Sequence, residues 1–117
     1  MTTAKVTLII DSADATGTLL TRGAVRIIPS QRVSDTADGV LVETAAVRAQ
    51  FTTCGTTPAA PSVNLYPNDL IGPQSGGSPA WSYTVYYDGC PGNPQPWSFH
   101  LLSTGGATQR LSSLTAL

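Results

Sequence analysis

A chain of 117 residues fits one domain, and folding at that size removes about two-thirds of the extended chain's surface from water, enough for one core. Only 11% of the residues are charged, against roughly 25% in typical soluble domains, and six basic against seven acidic side chains give a net charge of -1 with neither sign clustered. This balance argues against a nucleic-acid partner, because binding to a phosphate backbone draws on gathered Lys and Arg.

No apolar run approaches the ~20 residues of a spanning helix, and Met1 to Val6 lacks the apolar centre of a signal peptide. The expectation is synthesis in a bacterial cytoplasm without export, and no membrane insertion. Polarity comes mainly from Thr, Ser, Gly, Pro and Asn, so a neighbour could cover much of the surface without desolvating many charges.

In chain order, Lys5 to Asp11 places Val6, Leu8 and Ile10 on one face and reads as a first strand. Ser12 to Gly17 reads as a turn. The pair Asp11 and Asp14 hints at a calcium loop, but the remaining oxygen ligands and the distal Glu are missing, so a side-chain-capped turn is the better reading. Gly23 to Pro29 is a second strand with Val25 and Ile27 inward, Arg26 outward and Pro29 ending the ladder. A polar excursion, Ser30 to Gly39, closes on the turn signal Asp38-Gly39 and leads into Val40 to Thr44.

Ala45 to Thr53 is alanine-rich, yet Val47, Ala49 and Phe51 alternate with Arg48 and Gln50, which favours a strand over a helix. Cys54 to Pro61 carries two prolines and cannot be a central strand. Ser62 to Pro67 looks like a short edge strand, and Asn68 to Pro79 like a loop.

Trp81 to Leu102 holds most of the aromatic side chains. Trp81, Tyr83, Val85 and Tyr87 alternate, as do Trp97, Phe99 and Leu101, and the Gly- and Pro-rich run between them suits two antiparallel neighbours. Tyr86 and His100 fall on the reverse face. Beyond the break at Ser103 to Gly106, Leu111, Leu114 and Leu117 recur every three residues, the spacing of a 3₁₀ or helical arm. Such a short segment must dock on its own domain or on another chain. The fold expected is all-β: a single antiparallel β-sandwich of about seven strands over residues 1–104, with a C-terminal docking arm over 105–117 in the same unit.

Reactive constellations are not evident. His100, the only histidine, is not accompanied by a nucleophile-turn motif. Zinc would have to draw on His100, Cys54, Cys90 and a carboxylate from separate elements without paired spacing. Asp11, Asp14, Asp35, Asp38, Glu43, Asp69 and Asp88 lie mostly in loops and read as solvated turns. No catalytic residue, metal site or cofactor is expected. Cys54 and Cys90 are expected as free thiols, with a structural disulfide the lesser reading. Candidate partner contacts are Leu111, Leu114 and Leu117 in the arm, with Tyr86 and His100. A sugar platform using Tyr86, Tyr66 or a loop-exposed Trp is the alternative.

The stretches KVTLIID, GAVRIIPS, Val40-Leu41-Val42, AWSYTVYYDG and PWSFHLL, followed by a short leucine-containing tail, resemble small β-sandwich domains of minor tail and fibre proteins of actinobacteriophages. The resemblance runs from about Val6 to Leu114. It implies an immunoglobulin-like or transthyretin-like sandwich in a non-enzymatic virion protein: a minor tail or tail-tip adaptor, or a capsid decoration protein. Without a collagen-like or coiled-coil extension, an adaptor is favoured over a receptor-reaching fibre. The partners implied are other phage structural subunits, a second copy of the chain, or a host-surface glycan.

Overall fold

Strand formation follows the two-residue alternation of apolar side chains, and it breaks where Gly and Pro remove side-chain constraint or an N–H donor. The computed structural model describes residues 4–11, 22–35, 39–50, 52–54, 57–59, 61–90, 92 and 94–117. In chain order the strands are β1 (Val6–Ile9), β2 (Ala24–Pro29), β3 (Val33–Asp35), β4 (Val40–Val42), β5 (Val47–Gln50), β6 (Thr52–Cys54) and β7 (Thr57–Ala59). They continue with β8 (Ser62–Leu65), β9 (Gln74–Ser75), β10 (Ser78–Pro79), β11 (Tyr83–Asp88), β12 (Trp97–Phe99) and β13 (Thr108–Arg110). Two single-turn 3₁₀ helices, Ser103–Gly105 and Leu111–Ser113, flank β13.

Seven of these strands make the sandwich. One sheet runs β12-β11-β2-β5 and is antiparallel throughout; the other runs β13-β1-β8. In the second sheet β1 pairs antiparallel with β8 but parallel with β13. Among the described residues, β1 and β2 therefore belong to different sheets. The pairs β3–β4, β6–β7 and β9–β10 are two-stranded ribbons on the connections.

The core lies between the two sheets. Val6, Leu8 and Ile10 from the β1 segment meet Val25 and Ile27 of β2, Tyr83 and Val85 of β11, and Phe99 of β12, all buried. Fully burying a side chain of this size contributes about 1.5–3 kcal/mol. Trp81 and Ile71 pack into the same cluster, and the indole Nε1 donates to the Ile71 carbonyl at 2.6 Å. Trp81 and Tyr83 meet edge to face with centroids 5.1 Å apart. Tyr87 and Trp97, expected inward, are half-buried against the core, tied by a bond from Trp97 Nε1 to the Tyr87 hydroxyl at 2.9 Å.

Several expectations change in detail. The polar excursion contains β3, which pairs with β4, and Gly39 just before β4 has a φ of 68°. The loop 68–79 contains the β9–β10 ribbon, turned by Gly76 and Gly77, and the proline-bearing stretch 54–61 contributes to the β6–β7 ribbon. The seventh sandwich strand is β13, a segment expected to lie in the arm. Asp14, Asp38, Phe51 and the Cys54 side chain lie outside the described residues.

Candidate contact surfaces

The C-terminal segment is held to its own domain by a chain of polar clamps. Asn68 holds Leu101 through both main-chain groups: its Oδ1 accepts the Leu101 N–H at 2.6 Å, and its own N–H donates to the Leu101 carbonyl at 2.8 Å. Asp69 accepts the backbone N–H of Ser103 at 3.0 Å and its hydroxyl at 2.8 Å. Gln109, the inward residue of β13, donates from Nε2 to the carbonyls of Leu102 and Gly106 at 2.7 and 3.1 Å. A Cβ on Gly105 would stand 2.7 Å from the Gln109 amide, so a side chain there would push the amide off its carbonyl partners.

Asp11 repeats the serine clamp. It accepts the Ser112 N–H and hydroxyl at 3.0 and 2.8 Å, and Arg110 Nη1 approaches at 3.3 Å. Burial alone would raise this carboxyl, but the hydrogen bonds from Ser112 and Arg110 outweigh it and hold it below the ordinary carboxylate value. Asp11 is thus a clamp for the last turn of the fold.

The arm expected as a free anchor is consequently part of the sandwich. Leu111 is 1% exposed and belongs to the core, so it is not available to a partner; its N–H-bearing turn is fixed by Asp11, and β13 pairs with β1. Leu114 packs half-buried against the same core. Leu117 is 69% exposed, and its backbone N–H reaches the Ser98 carbonyl of edge strand β12 at 2.9 Å. Of the three leucines, only Leu117 presents its side chain outward.

Among the described residues, open grooves lie on two sides of the sandwich. One, of about 340 Å³, lies between the β12–β13 connection and the terminal segment, and brings together His100, Leu102, Gln109, Leu114 and Leu117. The other, of about 260 Å³, lies beside β5 and β8 and gathers Lys5, Leu41, Val47 and Tyr66. Leu41, Val47, Leu102 and Leu117 are the exposed large apolar residues at these grooves. Leu41 could have been found from sequence, because it sits on the outward face of the alternating Val40-Leu41-Val42. Val47 could not: alternation places it inward, but it begins an edge strand whose end opens onto the groove.

Tyr86 stands on the outer face of the four-stranded sheet, half-buried, with the Arg26 guanidinium 5.2 Å from its ring centroid. Arg26 Nε in turn donates to Asp88 at 2.6 Å, a bond that raises its affinity for its proton. Tyr66 likewise has a cation over it, Lys5 Nζ at 5.0 Å. Trp81 is buried and Trp97 half-buried, so neither is the loop-exposed tryptophan that a sugar platform would use. Tyr86 and His100 are therefore not neighbours in one site: Tyr86 sits on a sheet face and His100 in a lateral groove.

Among the described residues, no three His, Cys, Asp or Glu side chains gather as a metal site, and no helix is long and apolar enough to cross a membrane. Cys90 is a buried free thiol. No family model, curated protein or solved structure matches this chain.

Proposed function

We propose that this chain is a non-enzymatic structural protein of a phage particle, a tail or tail-tip adaptor that acts through protein–protein contacts. The carrying observation is the placement of apolar side chains: Leu41 and Val47 at one lateral groove, Leu102 and Leu117 at the other, all turned outward. Apolar surface at the rim of open grooves is what a packed neighbour covers. Two contact sites on the sides of one sandwich suit an adaptor between subunits.

The phage assignment is supported by the sequence resemblance, whose stretches supply β1, β2, β4, β11 and β12. Quantitative mass spectrometry of purified particles tests it. A few to a dozen copies per particle is the expected result; hundreds would make the chain a capsid decoration protein, and absence from the particle would sink the reading.

A further inference from the structure

The outer face of the four-stranded sheet carries a like-charge pair of which one member, Arg26, has a counter-charge. Register sets Arg26 of β2 directly opposite Tyr86 of β11 on one side and Arg48 of β5 on the other. Directly paired side chains have Cβ atoms about 4.5–5.5 Å apart, and like charges there destabilise a sheet. Arg26 is compensated by Asp88 and lies over Tyr86. Arg48 is exposed, and among the described residues no ion pair reaches it.

We propose that Arg48, with Arg26 and Tyr86, forms a docking face for a carboxylate-bearing segment of a neighbouring particle protein. The proposal rests on the contact reading above and assigns a third surface and the chemistry of its partner. A guanidinium presents a planar fork that matches a carboxylate with two parallel hydrogen bonds. A carboxylate over Arg48 would give it the counter-charge that Asp88 gives Arg26. Tyr and Arg side by side are the residue types that dominate protein interfaces, and half-buried Thr84 and Ile28 in the next row supply a flat, weakly polar border. Two cations on a chain of net charge -1 suit a carboxylate partner better than a polyphosphate backbone.

The test compares the chain free in solution with the chain in purified particles, by modification with an arginine-specific dicarbonyl reagent read by mass spectrometry. Arg48 should react at least tenfold more slowly in the particle. Arg48→Glu should be incorporated at least tenfold less well while its unfolding midpoint is no lower than that of the native chain, because Glu opposite Arg26 turns a repulsion into an attraction. Arg48→Lys keeps the charge but loses the fork, and its incorporation should fall between that of the native chain and that of Arg48→Glu. Equal reactivity of Arg48 in both states, or normal incorporation of Arg48→Glu, overturns this face and leaves the contact reading standing. Protection of Arg48 in the free chain by host wall polysaccharide overturns it in favour of a glycan. A chain absent from particles overturns the contact reading itself, and this partner with it.

Discussion

Asp11 and Ser112 meet across 101 positions of sequence, the carboxylate taking both the backbone N–H and the hydroxyl of the serine. Ser112 lies in the turn Leu111–Ser113, whose first residue is in the core, so the clamp holds the terminal segment where Leu111 can be buried. Hydrogen bonds to a charged group contribute about 1.5–3 kcal/mol. Asp11→Ala is expected to lower stability by about 2–3 kcal/mol and to expose residues 111–117 to protease under native conditions. Denaturant unfolding and limited proteolysis measure the two effects. Native stability in the variant would mean that burial of Leu111 alone seats the segment.

Acid should loosen the same clamp. The folded-state pKa of Asp11 lies below its ordinary value of 3.8, despite a burial effect that acts the other way. A carboxyl depressed on folding adds stability that is fully present above the unfolded pKa and is lost as the pH falls through the folded one. The window is therefore below about pH 4. Asp11→Asn should be less stable than the native chain at pH 7 and should show a flatter loss of stability below pH 4. An equally steep acid limb in the variant would assign that limb to other carboxylates.

How much was readable in advance depends on where each strand's information resides. The strands β1, β2, β8, β11 and β12 carry apolar alternation within themselves, and each was legible. Thr108–Arg110 has no apolar residue at all; its inward position is Gln109, satisfied by carbonyls of Leu102 and Gly106. Its pairing is parallel to a strand about a hundred residues earlier, so nothing local announces it. For the same reason the arm looked free: three-residue leucine spacing gives the turn, while the decision to dock inward is made by Asp11. Parity placed Tyr86 outward, since strand alternation is strict in the middle of a sheet. The apolar rim was less legible because Val47 sits where an edge strand begins and parity no longer decides burial.

A Cβ added at Gly72 would press on both Val33 and Trp81. Gly72 has φ 88°, and a Cβ there would stand 2.9 Å from Trp81 Nε1, beside Val33. The indole is already fixed by its bond to Ile71, so it cannot move aside without leaving that carbonyl unpaired. Gly72→Ala combines a left-handed conformation with a clash and should cost about 2–4 kcal/mol. Trp81→Phe keeps the ring but loses the donor and some volume, and should cost about 2–3 kcal/mol. Chemical denaturation reads both. A neutral Gly72→Ala would show that the Val33 ribbon gives way easily.

Cys90 offers a direct readout of the hairpin's integrity. Burial raises its thiol pKa, and the S–H faces the carbonyls of Ala24 and Asp88, so little thiolate is present at neutral pH. The sulfur is also shielded, with the residue 4% exposed and packed against Gly23, where a Cβ would lie 2.8 Å from Sγ. Since the thiolate is the reactive species, Cys90 should be alkylated on the order of 100-fold more slowly in the folded chain than in denaturant. A Cys54→Ser background makes the signal report Cys90 alone. Iodoacetamide labelling at pH 8, quenched over time, gives the rate. Fast labelling in the folded chain would mean that the turn after Asp88 opens readily and that the Arg26–Asp88 pair does not hold the end of β11 in place.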